Sequence, residues 1–276
     1  MTNRATTHRA HHRAAPWLRW LARGGIVAAG MIYLLIGGLA LAGAFNPAQH
    51  PSGSRGAMSH LARAPLGDVL LALLALGLAA YVLWQLIQAM GDAESHGQGK
   101  LKQLALRIQH LWDAAVHCLL VGMAAWQLLG YSRSDAQGHT QQHLTATAMR
   151  LPGGRWLVAG IGGGIVAFAL AEWIMACRPE HDTQMDLSHT PWRRPILALL
   201  VLGHAARGAL FGLIGAFLIR AAWHHDALDV TGIAGALQSM RQQPWGAWLL
   251  GSVAVGLIAF GLAQFAKARY RVIRKN

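Results

Sequence analysis

Residues 65–85 read PLGDVLLALLALGLAAYVLWQ, a stretch long and apolar enough to cross a bilayer as one helix. Residues 152–172 and 244–264 repeat its spacing without a gap, so that all three fit the pattern P-x-G-x9-G-x3-[YF]-x3-[QE]. Such self-similarity indicates a protein built from copies of one unit. Because Pro is tolerated in the first turn of a helix, we expect each stretch to be a helix that begins at its Pro.

The positions that follow each Pro by 12, 16 and 20 residues lie on one stripe of the helix. They hold a Gly, an aromatic residue and an amide or carboxyl group: Gly77, Tyr81 and Gln85, then Gly164, Phe168 and Glu172, then Gly256, Phe260 and Gln264. Small residues let membrane helices approach closely, and a buried amide can bond across the contact. The stripe therefore predicts packing in which Gly77, Gly164 and Gly256 each face another helix; a binding surface is the alternative.

The composition is typical of a membrane protein. Charged residues make up 13% of the chain and hydrophobic residues 54%, whereas soluble domains carry about 25% charged residues. Six apolar runs are long enough to span a bilayer; they are residues 24–45, 69–90, 108–131, 155–177, 195–220 and 244–266. We therefore predict an all-α membrane protein with six transmembrane helices.

The positions of Lys and Arg predict the orientation. These residues are concentrated in both tails and in the second and fourth loops, and cytoplasmic segments carry such an excess. Both termini are therefore predicted to be cytoplasmic. The Lys and Arg residues that give the net charge of +13 thus flank apolar runs, as cytoplasmic charges of membrane proteins do. The predicted partner is therefore the lipid bilayer and not nucleic acid. The first apolar run is longer than a signal-peptide core and is expected to remain as an anchor.

Each copy contains two spans, so the three copies are predicted to share one orientation. They are then parallel repeats, arranged with pseudo-three-fold symmetry about an axis along the membrane normal. A basic tail, residues 1–18, precedes the repeats, whose bounds are residues 19–92, 105–178 and 193–271.

The first helices of the repeats are less alike than the second helices. Gly30, Tyr33 and Gly37 of the first copy match Gly208, Phe211 and Gly215 of the third, and the corresponding positions of the middle copy are Ala115, Cys118 and Gly122. This difference indicates that the middle copy has diverged.

Each predicted outer loop ends in a short apolar–polar stretch before its Pro, at residues 58–63, 147–150 and 237–241. Such a stretch is either an amphipathic helix on the membrane surface or an ordered connector. The sequence leaves both interpretations open.

These features resemble the bacterial membrane proteins grouped as domain of unknown function 1206. The resemblance rests on residues 22–25 (ARGG) leading into 30–37 (GMIYLLIG), on Gly56-Ala57 before Pro65-x-Gly67, on residues 77–81 (GLAAY), and on residues 235–238 (GALQ) before 244–246 (PWG). It covers about residues 19–271 and implies three repeats of two membrane helices. It implies no activity and no catalytic residue. We expect the protein in the inner (plasma) membrane of a bacterium, as a multi-pass protein.

Ionisable residues inside a predicted span mark functional sites by default, and the candidates are Asp113, His117, Glu172, His204 and Arg207. Arg207 lies near the middle of its span, and its side chain leans toward the cytoplasm because side chains point toward a helix's N-terminus. Glu172 lies in a helix of opposite direction and leans toward the bilayer centre. The two are predicted to meet, so that neutralising either alone costs more stability than neutralising both; a position of Glu172 at the inner interface is the alternative.

His117 and His204 lie at similar predicted depths. Two histidines at one level can ligate haem or another metal, or pass a proton. The alternative is that each ring is simply hydrogen-bonded to a neighbouring carbonyl group. No cofactor is predicted on this ground, and haem or metal remains the less favoured reading.

Motifs of soluble enzymes are lacking: the sequence has no phosphate loop, no GxSxG, no HExxH and no dinucleotide fingerprint. A non-enzymatic membrane protein is therefore favoured, with a small permeation or transport unit near Arg207 as the leading hypothesis. The alternatives are a redox protein that binds haem or metal through His117 and His204, and a structural or assembly partner.

Overall fold

The computed structural model describes residues 16–46, 48–90, 100–130, 145–178, 190–224 and 232–270, together with residues 185, 187 and 188. Most of the predicted basic tail lies outside these residues. The helices are α1 (Pro16–Phe45), α2 (Ser54–Ala62), α3 (Gly67–Met90), α4 (Lys100–Leu128), α5 (residues 145–149), α6 (Gly154–Cys177), α7 (Arg193–His224), α8 (Ile233–Arg241) and α9 (Gly246–Tyr270).

Six of these helices, α1, α3, α4, α6, α7 and α9, are long and apolar enough to cross a membrane. The prediction of an all-α membrane protein with six spans is thereby confirmed. Each repeat consists of a long helix, a short helix and a second long helix.

The orientation in the membrane stays a prediction. If both termini are cytoplasmic, cysteines placed after Phe45, Tyr131 and Arg220 will react with a membrane-impermeant thiol reagent added to intact cells, because these positions follow odd-numbered spans. Cysteines in the tails, at residues 1–18 and 271–276, serve as the matched control and should react only after lysis. Labelling of the tails in intact cells would show that both termini lie outside the cytoplasm, which is the opposite of the predicted topology.

The P-x-G segment forms a turn that joins each short helix to the long helix after it. The long helix begins at the Gly, so the prediction that it begins at the Pro is wrong by two residues. The middle residue has a positive φ in every copy: +60° at Leu66, +75° at Gly153 and +62° at Trp245. A Cβ on Gly67, Gly154 or Gly246 would fall on the carbonyl oxygen of Ala62, Ala148 or Arg241, respectively. The turn folds back so tightly onto the short helix that only Gly fits there.

The long helices pack in a cyclic order. The second long helix of each repeat packs on the first long helix of the next, as α3 on α4, α6 on α7 and α9 on α1. Within repeats, α1 packs on α3 and α7 packs on α9, whereas the described parts of α4 and α6 lack a comparable close approach. A cyclic order is what three-fold pseudo-symmetry requires, although that symmetry itself stays a prediction.

The short helices α2 and α8 pack into the core at one end of the bundle. Met58 of α2 and Leu237 of α8 are fully buried and belong to the same apolar cluster as Leu71 and Leu250 of the long helices. Arg241, at the end of α8, donates hydrogen bonds to backbone oxygens of the α1–α2 loop. These contacts favour the ordered connector over a helix that lies on the membrane surface.

Candidate functional site

Two of the three stripe glycines face a neighbouring helix. A Cβ on Gly77 would lie 2.5 Å from the Cβ of Ala28, and a Cβ on Gly256 would touch the Cβ of Ala206. Gly164 is exposed, and a Cβ there would have no atom within 4 Å. The predicted packing role is therefore wrong for Gly164. The reason lies in the helix that should cover it, α4.

Aromatic contacts show how α4 is rotated relative to the other first helices. Tyr33 packs on Phe260, with ring centroids 4.8 Å apart, and Phe211 packs on Phe168 at 5.2 Å. In the third such contact, between α3 and α4, Tyr81 packs on the ring of His117, with ring centroids 4.4 Å apart. His117 thus occupies the place of Tyr33 and Phe211.

The expected counterpart, Cys118, is exposed, as are Ala115 and Gly122, whereas Ala114 is buried. The sequence alignment that matched Ala115, Cys118 and Gly122 of the middle repeat to the other two repeats is therefore displaced by one residue. In the corrected register, Trp112 corresponds to Ala28 and Ala206.

Trp112 explains why Gly164 is uncovered. In the corrected register Trp112 takes the position of the small Ala that touches the stripe glycine in the other two repeats, but its indole side chain does not reach Gly164. The ring packs on Phe168 of α6 at 5.7 Å, so it acts as a wedge that keeps the backbone of α4 away from that of α6.

The same register shift places Asp113 at the position of Arg207. In two of the three contacts between repeats, a polar stripe residue reaches this position on the next helix. Gln85 donates to a carboxylate oxygen of Asp113 at 3.1 Å, and a carboxylate oxygen of Glu172 lies 3.3 Å from Arg207. In the third contact, Gln264 and Ala29 are the corresponding pair, and this pair carries no charge.

The two polar contacts merge into one charged cluster, defined here as Gln85, Asp113, Glu172, His204 and Arg207. A guanidinium nitrogen of Arg207 lies 3.9 Å from a carboxylate oxygen of Asp113. His204, one helical turn before Arg207, places Nδ1 2.7 Å from a carboxylate oxygen of Glu172. The structure therefore brings together four of the five predicted ionisable residues, and it adds Gln85, for which the sequence predicted only a packing role.

Aromatic rings enclose the cation of the cluster. The guanidinium carbon of Arg207 lies within 6 Å of four ring centroids, at 4.3 Å from Phe260, 5.3 Å from Tyr33, 5.4 Å from Phe168 and 5.7 Å from Phe211. Arg207 and Glu172 retain only 6% and 2% of their accessible surface. Rings at this range stabilise a desolvated cation.

His117 lies next to the cluster. Its Nδ1 is 2.8 Å from the backbone oxygen of Asp113, so the neutral ring donates from Nδ1 and leaves a lone pair on Nε2. Nε2 is buried and has no hydrogen-bond partner among the described residues. Within the described residues, no group of three or more His, Cys, Asp or Glu side chains is placed to hold a metal ion.

Sequence reasoning did not identify Tyr33, Phe211 and Trp112 as residues around the cluster. The signal for the two aromatic residues was present, because they recur at the same place in repeats one and three. Trp112 could be found only with the middle repeat aligned in the correct register. The sequence pattern alone gave a register that differs by one residue.

Comparison with known proteins gives one family match and one relative of similar length. The family described as Domain of Unknown Function (DUF1206) matches three segments, residues 24–92, 108–178 and 202–271. A protein of Bacillus subtilis (strain 168), named uncharacterized protein YxxB, is 32% identical over 259 residues, which cover 93% of this chain and 92% of the relative. No solved structure matches the chain. Three tandem matches and a relative of nearly equal length show that the chain belongs to the Domain of Unknown Function (DUF1206) family.

Proposed function

We propose that this protein is a small permeation unit that binds and releases a proton at the charged cluster. The contact that carries the proposal is the one between His204 and Glu172, at 2.7 Å and beside Arg207. At this distance a proton can be held between an imidazole nitrogen and a carboxylate oxygen.

The charge balance supports a proton as the bound species. Asp113 and Glu172 contribute two carboxylates, whereas Arg207 contributes a single positive charge, so the cluster has one negative charge in excess while its histidine is neutral. An uncompensated charge inside a membrane costs several kcal/mol. The uptake of one proton, on His204 or on a carboxyl group, makes the cluster neutral.

The position of the cluster supports permeation rather than a role in packing alone. Its residues come from α3, α4, α6 and α7, and the rings around Arg207 add α1 and α9, so every long helix contributes to its surroundings. A site at the centre of six helices and at membrane depth is where transport proteins bind the ions that they move.

Proton flux into proteoliposomes tests the proposal. The protein is reconstituted with a pH-sensitive dye inside, and a potassium diffusion potential drives protons inward. We expect flux above that of protein-free liposomes, and we expect Glu172→Gln to reduce it to that background, because the variant cannot share a proton with His204. Asp68→Asn, which neutralises an exposed carboxylate outside the cluster, is the matched control and should keep the flux. Equal flux in Glu172→Gln and the unmodified protein would refute the proposal.

A haem- or metal-binding redox protein is the second candidate. Two observations favour it: the buried Nε2 of His117 has a free lone pair, and Glu172 holds His204 through Nδ1, as carboxylates do when they orient metal-binding histidines. This candidate predicts a Soret band in the visible spectrum of the purified protein, and His117→Ala should abolish that band. A colourless protein that gains no Soret band with added haem would rule out haem.

A further inference from the structure

Two consecutive residues of α6 hold α7 from different sides. Glu172 retains 2% of its accessible surface and faces the charged cluster, whereas Trp173 is 44% exposed and lies on the outer surface of the helix bundle. Glu172 contacts His204 and Arg207. Trp173 contacts the residue that follows each of these on α7, namely Ala205 and Gly208. The two helices are therefore joined at this level by a charged contact inside the bundle and by an indole ring on its surface.

The indole ring of Trp173 makes a hydrogen bond between the two helices. Its Nε1 donates to the backbone oxygen of Ala205 at 3.2 Å. A backbone oxygen has two lone pairs, so it can accept this bond in addition to the one within its own helix. Gly208 leaves the room for the ring, since a Cβ there would fall on the indole Nε1 and Cδ1. The sequence thus supplies both a donor on α6 and the glycine that lets the donor reach α7.

The other two contacts between repeats have the same packing without the donor. The residue after the last stripe position is Leu86 in α3 and Phe265 in α9. Phe265 lies against Gly30, the counterpart of Gly208, because a Cβ on Gly30 would be 3.5 Å from its ring. Leu and Phe side chains carry no N–H group. Of the three contacts, only that between α6 and α7 has an indole donor at this position.

The contacts of Glu172 depend on how far α6 is displaced along α7. One carboxylate oxygen lies 2.7 Å from Nδ1 of His204, and the other lies 3.3 Å from a guanidinium nitrogen of Arg207. These two partners are one helical turn apart, or about 4.5 Å along the axis of α7. If α6 slides toward one partner, the contact with the other lengthens. A hydrogen bond from α6 to the backbone of α7 opposes such sliding, and lipid supplies no competing partner for its donor.

We propose that Trp173 is a positioning residue, whose hydrogen bond to α7 fixes the register in which Glu172 meets His204. Gly208 takes part by leaving space for the indole ring. This inference deepens the proposed function and rests on it, because the register matters through the proton that Glu172 and His204 hold between them.

A comparison of double-mutant cycles in two backgrounds tests the proposal. The first cycle combines Glu172→Gln and His204→Asn in the otherwise unmodified protein, with unfolding followed in mixed detergent micelles. Contacts inside membranes couple by about threefold to twentyfold in the unfolding equilibrium constant. The second cycle repeats these changes with Trp173→Phe, which removes the N–H group and keeps an aromatic ring, as in Phe265. We expect the coupling to fall about threefold, the average effect of one intramembrane hydrogen bond.

The coupling separates positioning from packing. If Trp173 only filled space, Trp173→Phe would lower the stability of every variant alike and leave the coupling between Glu172 and His204 unchanged. Trp248→Phe is the matched control, because it makes the same substitution at another exposed tryptophan, on α9. That variant should keep the full coupling.

Three results would overturn the proposal: no coupling in the unmodified protein, an unchanged coupling in Trp173→Phe, or an equal fall in Trp248→Phe. The cycles are measured without an ion gradient. An absence of proton flux would therefore refute the proposed function, whereas an unchanged coupling would refute the role of Trp173, and the two results can be told apart.

Discussion

Replacing Gly256 by Leu is expected to lower the free energy of unfolding by about 3 kcal/mol, at the upper end of what overpacking costs. A Cβ at this position would touch the Cβ of Ala206 and lie 2.9 Å from the backbone oxygen of Leu202. The Leu side chain can be accommodated only if α7 and α9 move apart. Such a movement would also disturb the helix that carries Arg207. Unfolding in mixed detergent micelles, followed by circular dichroism, measures the effect.

Gly164→Leu is the control for this change, because it is the same substitution at the same position of the middle repeat. A Cβ at Gly164 would have no atom within 4 Å, and surface substitutions of this kind usually change stability by less than about 0.5 kcal/mol. A difference of about 3 kcal/mol between two equivalent positions would demonstrate the asymmetry of the repeats. Equal losses would mean that α4 covers Gly164 in the folded protein.

Arg207→Gln is expected to cost about 3–5 kcal/mol, as measured when one partner of a buried ion pair is removed. The variant leaves the carboxylates of Asp113 and Glu172 in a buried site without a cation. Glu172→Gln should cost much less, because Arg207 then remains with Asp113 at 3.9 Å as a balanced pair. The stability loss of the double variant should lie between those of the two single variants, since the double variant leaves the carboxylate of Asp113 with only Gln85 as a partner.

This order differs from the one predicted from the sequence, in which each single change exceeds the double change. The difference arises because the sequence indicated one acidic partner for Arg207, whereas the structure places two beside it. A double-mutant cycle in mixed micelles measures all three values. A loss in Glu172→Gln as large as that in Arg207→Gln would show that Asp113 does not compensate Arg207.

The sequence by itself determined the six spans, the three repeats and the level at which Glu172 and Arg207 meet. Each of these depends on properties along a single helix. An apolar run of sufficient length must span the bilayer, because its backbone groups can be satisfied only within a helix there. The depth of a residue follows from its distance along that helix at about 1.5 Å per residue.

The sequence also showed the P-x-G spacing, but it did not show that this segment forms a turn before the helix. The sequence located the start of each second long helix to within two residues. The positive φ at Leu66, Gly153 and Trp245 depends on how the short helix before it folds back, and that packing is not visible in the pattern.

The tertiary structure alone decided the rotation of α4 and the open middle repeat. When a helix is rotated so that its alignment shifts by one residue, it presents different side chains to its neighbours. The sequence pattern aligned Cys118 with Tyr33 and Phe211, whereas the structure places His117 there. Whether Gly164 is covered depends on the residue across from it, Trp112, which belongs to another helix. The composition of the charged cluster was undecided for the same reason, because Gln85 and Asp113 meet only when α3 and α4 pack side by side.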